Sequence, residues 1–353
     1  MLDFTDLQRR YENFYSPRFE VEVGTTTIDE SDGRLSGLEV DTAIDRANRV
    51  SFSLNHVFDH ERGEFTDVDF DIFEEGTEMT VKLGYGDEIH PLFHGRIDSV
   101  QPNFPSSGAA SISVSAQDLR QLMQSSKRHD SWDDASLTDV PTLIAENYPF
   151  LDSHIEGVSA GLGGLDELDH EKIVKAAESD YDYVETLAAD FGFETFSRAG
   201  KFFFRRPHWD EPEALRLQWG RSLVSFRPGK PGGDRDVKTV KVYDWDVRRA
   251  EQIVGVAERD GGADGEDGLI ERKIPVESPT EADARAAAIM QWTRQGPTSQ
   301  GETIGLPELQ IGEPIELDGL GSQFNGTYYV EEATHRIDES GYTTTFEVRE
   351  ILA

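Results

Sequence analysis

Alternation of apolar and polar residues in two separate blocks is the feature that most limits how this chain can fold. A period of two residues places successive side chains on opposite faces of a strand, which is typical of half-buried antiparallel sheets. The blocks extend over Phe19–Ala116 and Leu215–Val348. The clearest runs in the first block are Val50/Phe52/Leu54, Met79/Val81/Leu83/Tyr85 and Ile112/Val114/Ala116. Turn signals such as Asp32-Gly33 separate them, so the first block is predicted to form a small antiparallel barrel or sandwich.

The region between the two blocks has a different pattern. Ser179 opens a helix with the Ser-x-x-acid signature, and Gly192 ends it. Two strand-like runs follow, Phe193–Ser197 and Lys201–Arg205, and the short Gly-containing turn between them predicts a hairpin. Further helices are predicted after Thr138 and, from a capping box with proline at the first helical position, after Ser278.

The charge of the chain excludes several classes of partner. It has 353 residues, with 69 acidic against 34 basic and a formal net charge of −35. Phosphate binding needs Lys and Arg, so no nucleic-acid recognition is expected, and anionic membrane surfaces are disfavoured. Because the acidic residues are dispersed along the chain, they indicate a salt-adapted source, a haloarchaeon; the alternative is an ordinary acidic mesophilic protein.

Cysteine, membrane and targeting signals are absent from the sequence. With no cysteine, disulfides, thiolate zinc sites and thiol catalysis are excluded. No apolar run is long enough for a membrane helix, so no membrane insertion is expected, and Met1–Arg10 lacks a signal-peptide pattern. Synthesis in the host cytoplasm is therefore expected. Phe4, Leu7 and Tyr11 share one face of a short N-terminal helix, which is either a frayed terminus or an arm that docks on a neighbouring subunit.

Histidine pairs are the first candidates for a metal site. His56/His60 and His90/His94 are spaced i, i+4, which brings side chains together on a helix but not in strand-and-loop sequence such as this. His335 is predicted to be a packed histidine of the sheet, hydrogen-bonded to backbone.

Glycine-rich segments are the second group of candidates. Gly161–Gly164 lacks the spacing of a phosphate loop and is interpreted as a flexible loop, and Gly261–Gly268 does not fit the calcium-loop pattern. A Gly-x-Ser-x-Gly elbow is also absent. No catalytic, cofactor-binding or metal-binding residue is therefore assigned, and no cofactor is expected.

Several motifs together resemble a known family. The sequences DYDYVETLAADFGFETF, KFFFRRP and LQWGRSLVSFRP occupy 180–196, 201–207 and 217–228, and a Pro-containing entry, NFYSPRF, precedes the first block. Near the end, Gly326–Val330, His335 and Gly341–Phe346 match closing strands. These motifs resemble the phage late control D family, the central hub proteins of contractile tails and phage-tail-like injection systems; the hub part of VgrG is similar.

The resemblance implies a fold and a set of domain limits. The fold class is α+β, mainly β, with two related antiparallel β-barrels of the tail-tube type and an inserted α+β region. The implied limits are 1–14 for an N-terminal arm, 15–118 for the first barrel, 119–206 with 247–299 for the α+β region, and 207–246 with 300–353 for the second barrel.

The resemblance also implies a function. The chain would be a structural, non-enzymatic baseplate hub (tube initiator), a homotrimer that adapts a six-fold tube to a three-fold spike. Its expected partners are a hexameric tail tube protein above, a separate trimeric spike protein below and other baseplate proteins, in a virion or extracellular injection particle. Relatives that carry a lytic or spike domain have it beyond the closing strands, and this chain ends there, at Ala353. The alternatives are a cell-envelope glycan or peptide hydrolase carried by such a particle, and a free carbohydrate-binding β protein.

The charge generates a first prediction. Screening shortens to ~3 Å at 1 M salt, which relieves repulsion among dispersed carboxylates. We therefore expect a higher melting temperature in molar KCl than in dilute buffer, measured by thermal denaturation followed by circular dichroism. A melting temperature that is unchanged or lower in high salt would contradict the salt-adaptation hypothesis.

Overall fold

The structure is a computed structural model, and it describes most of the chain. The described residues are 1–55, 57–59, 61–66, 72–125, 127–137, 139–157, 169–229, 237–246, 249–259, 268–276, 278–292 and 296–351. Within these residues, none of the helices is both long and apolar enough to span a bilayer.

Strands dominate the described residues. The helices are α1 (Phe4–Arg10), α2 (Arg120–Gln124), α3 (Asp139–Ala145), α4 (Asp180–Phe191) and α5 (Pro279–Trp292), with a 3₁₀ turn at Glu12–Phe14. The strands are β1 (Pro17–Val23), β2 (Thr26–Asp29), β3 (Leu35–Ala43), β4 (Arg49–Leu54), β5 (Phe58–Asp59), β6 (Glu64–Phe65), β7 (Glu78–Tyr85), β8 (Glu88–Asn103), β9 (Ser111–Asp118), β10 (Lys127–Ser136), β11 (Asp152–Ile155), β12 (Asp169–Ser179), β13 (Glu194–Arg198), β14 (Lys201–Arg205), β15 (Leu215–Gln218), β16 (Leu223–Arg227), β17 (Thr239–Asp246), β18 (Glu251–Glu258), β19 (Leu269–Lys273), β20 (Thr298–Ile304), β21 (Pro314–Asp318), β22 (Gly326–Asp338) and β23 (Gly341–Glu350).

Thirteen strands form one large, mainly antiparallel sheet, which confirms the mainly β fold class. Its order is β2-β1-β7-β8-β9-β4-β3-β22-β23-β20-β16, and β21 links β22 to β15. The strands from β1 to β9 in this sheet form the first β-block, and β15, β16 and β20 to β23 form the second. Pairing of β3 with β22, from Leu38↔Ile337 to Ala43↔Glu332, joins the two blocks into one hydrogen-bonded ladder.

The core follows the alternation of the sequence. Val50, Phe52 and Leu54 are buried on β4 while the residues between them are partly exposed, and β9 has the same pattern. A single apolar cluster includes buried residues of both blocks, such as Val81 in β7 and Val330 in β22. The two blocks therefore share a core as well as a strand pair.

The predicted helix and hairpin between the blocks are confirmed. The Ser179 hydroxyl accepts a hydrogen bond from Asp182 N at 3.0 Å, and Gly192 ends α4 with φ 66°. Strands β13 and β14 pair antiparallel, with Ala199 (φ 50°) and Gly200 (φ 82°) in the turn. Two positive-φ residues at a tight turn match the right-handed twist of the strands.

Strand β17 lies outside the large sheet, which corrects one predicted limit. The second barrel was expected to contain residues 207–246, but β17 pairs with β18 and β19 in a separate three-stranded sheet. That sheet packs on α5, where Val240 and Val242 contact a cluster that includes Ala282, Ala286 and Ile289. Alternation predicts a half-buried strand but does not specify its partner, so β17 could not be assigned to a sheet from its pattern.

The capping prediction for α5 is confirmed. Glu281 N donates to the Ser278 hydroxyl at 3.2 Å, and Pro279 is the first helical residue. The helix begins where the sequence placed it because both signals are local.

The N-terminal arm docks on its own chain. Leu7 and Tyr11 are almost fully buried and belong to the shared core. Helix α1 is therefore not a frayed terminus, because its apolar face covers the core of the same chain, and docking on a neighbouring subunit stays a prediction.

Asp118 and Arg120 link the hairpin β13–β14 to the first β-block. The Asp118 carboxylate accepts hydrogen bonds from Asn48 N at 3.0 Å, the Ser197 hydroxyl at 2.5 Å and Arg120 Nε at 3.1 Å. The Arg120 guanidinium is fully buried and also donates to the carbonyls of Ala43 and Ile44, both at 3.0 Å. Strand β9 ends at Asp118, and these contacts fix the position at which the chain leaves the first block.

A second charged group links the hairpin to the second β-block. Arg205 donates to Glu194 at 3.1 Å and to the Gly312 carbonyl at 2.5 Å, while Tyr329 of β22 donates to Glu194 at 2.6 Å. Arg198 donates to the Ile311 carbonyl at 3.1 Å. The hairpin therefore contacts both blocks through buried polar groups.

The junction of α4 and α5 gives a stability prediction. A Cβ at position 192 would lie 2.7 Å from the Ala288 carbonyl oxygen, in addition to the left-handed φ. At Gly33 the φ is 69° and nothing lies within 4 Å. We expect Gly33→Ala to cost about 1–2 kcal/mol and Gly192→Ala at least about 1 kcal/mol more, in chemical denaturation. Equal losses in the two variants would show that α4 and α5 do not pack as described.

Candidate assembly interface

The two ends of the large sheet are its free edges. Among the described residues β2 pairs only with β1, and β16 pairs with β20 alone, apart from one bridge between Trp219 and Leu223. A free edge presents backbone donors and acceptors that can pair with another chain. Strand β2 is only four residues long and is followed by a charged turn, where Glu30 and Asp32 pair with Arg18 and Arg34. Strand β16 ends in Arg227, and among the described residues no strand covers its outer edge.

Large apolar side chains are exposed beside β16. Trp219 is 58% exposed and Val224 is 54% exposed. The register of β16 against β20 shifts between Leu223 and Ser225, so Val224 lies in a β-bulge that turns its side chain outward. We call Trp219, Val224 and the edge of β16 the β16 edge surface.

A shallow hollow adjoins the β16 edge surface. It has a volume of about 440 Å3 and lies over β16, β20, β22 and β23. Polar side chains such as Glu302, Thr334 and Thr345 line it, while Phe346 packs on the opposite, buried face of the sheet with its ring against Gly301, where a Cβ would be 2.3 Å from the ring. Glycine at 301 is therefore what allows the aromatic ring to cover the strand.

Carboxylates give the hollow a negative character. Glu302, Glu332 and Glu347 line it, against Arg227. Burial raises the pKa of Glu332, an effect that Arg46, which donates to it at 2.9 Å, partly offsets. Together the hollow and the exposed edge suit an extended segment with apolar and basic side chains.

Of the predicted histidine pairs, only His90/His94 can be placed; His56 and His60 lie outside the described residues. His94 contacts the Thr80 hydroxyl at 3.1 Å, and burial lowers the pKa of its imidazole. His90 packs edge-on against Tyr11. Across the described part of the chain, no group of three His, Asp or Glu side chains is arranged to hold a metal ion.

The remaining predicted positions are His335 and the two glycine-rich segments. His335 is buried, and its Nε2 lies 3.2 Å from the Leu309 carbonyl and its Nδ1 2.9 Å from the Tyr342 hydroxyl, which confirms the packed, backbone-bonded histidine. Gly161–Gly164 and residues 261–267 lie outside the described residues.

Sequence reasoning missed the β16 edge surface. Val224 belongs to a run that reads as an ordinary strand, and nothing local shows that the strand is an edge or that it contains a bulge. Trp219 followed by Gly220 at a turn is the one signal that could have pointed to it, because a large aromatic residue at a turn is rarely part of a core.

Solved structures of tail proteins have the same fold. The 43 kDa tail protein of prophage MuSo2 from Shewanella oneidensis has a TM-score of 0.71 at 12% identity, covering 94% of this chain and 98% of that one. A tail protein from Neisseria meningitidis MC58 has a TM-score of 0.70 at 13% identity, covering 95% and 97%. The E. coli c3393 protein, a component of the type VI secretion system, has a TM-score of 0.54 at 11% identity, covering 90% and 74%.

A family model matches residues 16–272 of the sequence, and it is described as the Alg8 N-terminal domain. The chain belongs to the Alg8 N-terminal domain family. The matched model is not the late control D model that the sequence motifs suggested, although the tail-protein fold implied by those motifs is confirmed. No curated protein matches the sequence.

The match to the Alg8 N-terminal domain ends before the last four strands of the second block. Strands β20 to β23 follow residue 272, yet the tail-protein structures cover more than nine-tenths of the chain. The β3–β22 pair therefore joins a strand inside the matched range to one beyond it.

His335 provides a pH test of the second block. Burial lowers the pKa of His335 to about 4, below the ordinary value of 6.5. The folded state then binds fewer protons than the unfolded state between these values, so stability is lost as the pH falls from 6.5 towards 4. We expect His335→Gln to remove up to about 3 kcal/mol of this pH dependence, measured by urea denaturation at each pH. The exposed His129 in β10 is the control, and equal pH profiles for His335→Gln and His129→Gln would contradict the assignment.

Proposed function

We propose that this protein is a structural hub, a tube initiator, in the baseplate of a contractile tail or a phage-tail-like injection particle. The observation that carries the proposal is the fold match to the MuSo2 tail protein, which extends over nearly the whole length of both chains. A match of that extent favours a role for the entire chain in a tail rather than a catalytic module attached to one.

The arrangement of the two β-blocks supports a trimer. Closed rings satisfy head-to-tail interfaces without leaving free surfaces. A chain with two similar blocks can assemble as three copies that present six blocks to a hexameric tail tube above, while remaining three-fold towards a separate trimeric spike below. The β16 edge surface is the surface that we assign to contact between neighbours, since it combines a free strand edge with exposed apolar side chains.

The acidic hollow supports a basic partner segment at the same interface. Glu302, Glu332 and Glu347 lie beside the β16 edge, and Arg or Lys of an added strand would reach them. Other baseplate proteins are proposed to bind the outer faces of the ring. The particle is proposed to be a virion or an extracellular injection particle, assembled in the host cytoplasm.

The rival function, a cell-envelope hydrolase, has one specific place in the molecule. Glycoside hydrolysis uses two carboxyl groups, one of them with a raised pKa; in the hollow, burial raises the pKa of Glu332, which lies opposite Glu347 on the neighbouring strand. If the chain were a hydrolase, replacing these two carboxyl groups would abolish activity without preventing assembly. A hub predicts that the same replacements weaken assembly and that there is no hydrolytic activity to lose.

Complementation of a deletion strain tests the proposal. A strain of the source organism that lacks this chain is expected to produce no assembled tubes by electron microscopy, and the wild-type chain is expected to restore them. A Glu332→Gln/Glu347→Gln chain should restore fewer particles, because it lacks two carboxylates of the proposed interface, and the purified wild-type protein should not hydrolyse envelope glycan. Normal particles from the deletion strain would overturn the hub, and hydrolysis that is lost in the double variant would establish the rival.

A matched pair of variants tests the β16 edge surface. Val224→Arg adds a charge at the exposed bulge, and we expect at least a tenfold loss of assembled particles with folding stability unchanged within about 0.5 kcal/mol. Val256, which is 43% exposed on β18, is the control, and Val256→Arg should assemble normally. Normal assembly with Val224→Arg would contradict the assigned interface.

A further inference from the structure

The first three residues of the chain supply a strand partner for β15. Leu2 N donates to the Ala214 carbonyl at 3.0 Å, and Arg216 N donates to the Leu2 carbonyl at 2.9 Å. These bonds form a parallel bridge between Leu2 and Leu215, while the other edge of β15 pairs with β21. The N-terminal strap, defined as residues 1–11, therefore covers part of an edge that would otherwise be open.

The strap is held by a compact set of contacts. The Tyr11 hydroxyl donates to Glu308 at 2.6 Å, and Arg10 donates to the same carboxylate at 3.1 Å. The Tyr11 ring lies 5.1 Å from that of Tyr85 between centroids, and Leu7 is fully buried. Each of these contacts joins a residue before position 12 to a residue after it.

The segment that connects the strap to β1 is strained. Glu12, Asn13 and Phe14 have φ values of 47°, 65° and 61°, so three consecutive residues that are not glycine adopt the left-handed region. Each such residue costs roughly 1–2 kcal/mol. Phe14 offsets part of this cost by packing against Tyr85, with ring centroids 5.2 Å apart. Tyr15, the next residue, is 87% exposed.

We propose that the N-terminal strap is exchanged between neighbouring copies of this chain, each strap leaving its own β15 and covering that of the next copy. Exchange keeps the contacts of the strap with β15, Tyr85 and Glu308, gives up those of Phe14 with Phe4 and Tyr11, and lets residues 12–14 relax to an extended conformation. Strained hinge loops favour such swapping, which is a low-cost route to an oligomer. The inference rests on the oligomer of the proposed function.

The geometry limits where the neighbour can lie. Five residues, Glu12–Ser16, link the strap to β1, and when extended they span about 17 Å. The site on the neighbouring copy that receives Tyr11, at its Tyr85 and Glu308, must therefore lie within that reach of Pro17. The strap is expected to bind a second copy of this chain. Its fit to β15 is already defined by hydrogen bonds and by the burial of Leu7 and Tyr11.

Engineered cysteines test the exchange directly, since the chain has no native cysteine. Residues paired across neighbouring strands lie about 4.8 Å apart, within the range of a disulfide. A Leu2→Cys/Leu215→Cys chain is the positive control for strap docking and should form its disulfide. Equal amounts of Leu2→Cys and isotope-labelled Leu215→Cys chains are then assembled together and oxidised. We expect a disulfide-linked dimer of one labelled and one unlabelled chain, identified by mass spectrometry.

A second pair of cysteine variants is used if the buried Leu215→Cys variant does not fold. Arg10→Cys and Glu308→Cys chains, joined by a short bismaleimide, report the same contact from partly exposed positions. Absence of linked dimers in assembled oligomers with both pairs, while the double variants still cross-link within one chain, would overturn the exchange.

Hinge variants give an independent readout. Asn13→Pro sets φ near −65° and excludes the left-handed hinge, so we expect more cross-linked dimer. Asn13→Gly relieves the strain at position 13 and should give less cross-linked dimer. Ala250→Gly, at an exposed turn with φ 53°, relieves similar strain away from the strap and should leave the fraction unchanged. If Asn13→Pro yields monomers with a released strap, the exchange is refuted; the location of the chain at the tube end would still stand.

Discussion

Buried polar and charged groups around a single hairpin link the two halves of this molecule. On one side the Ser197 hydroxyl donates to Asp118, which lies at the end of the first block and also accepts a hydrogen bond from Arg120. On the other side Arg205 donates to Glu194 and to the backbone of the second block at Gly312. Removing one member of such a buried pair typically costs about 3–5 kcal/mol, because its partner is left charged and unsatisfied. The hairpin therefore specifies the position of both blocks.

The β3–β22 pair adds a second, main-chain connection between the same two blocks. Hydrogen bonds of a ladder fix register, since a slip of one residue would turn the buried face of each strand outward. With a ladder on one side and a charged hairpin on the other, the blocks cannot rotate freely against each other. A rigid pair of blocks suits the ring that we propose, in which the free edge at β16 would contact the next copy.

Local features of the fold could be predicted from the sequence, and non-local ones could not. The caps at Ser179 and Ser278 and the turn at Gly200 depend on neighbouring residues, so their sequence patterns were sufficient. The pairing of β3 with β22 joins residues nearly 300 positions apart, and alternation carries no information about which strand is the partner. Strand β17 was misplaced for the same reason.

The candidate interface was hidden by the same limitation. Whether Val224 is buried or exposed depends on a bulge and on the absence of a further strand beyond β16 among the described residues, and both are properties of the sheet. The tail-protein fold, in contrast, was indicated by motifs spread over the whole chain. These motifs led to the tail-protein fold that the solved structures confirm, but they named a different family from the one whose model matches.

The central claim is that one chain supplies two blocks to a ring at the end of a tube. The most direct measurement is a cryo-electron microscopy reconstruction of particles from the source, with this chain fitted into the density. The account predicts three copies whose six β-blocks surround a channel beneath the first tube ring. Six copies in the ring, or a density that accepts only one block of each chain, would contradict it.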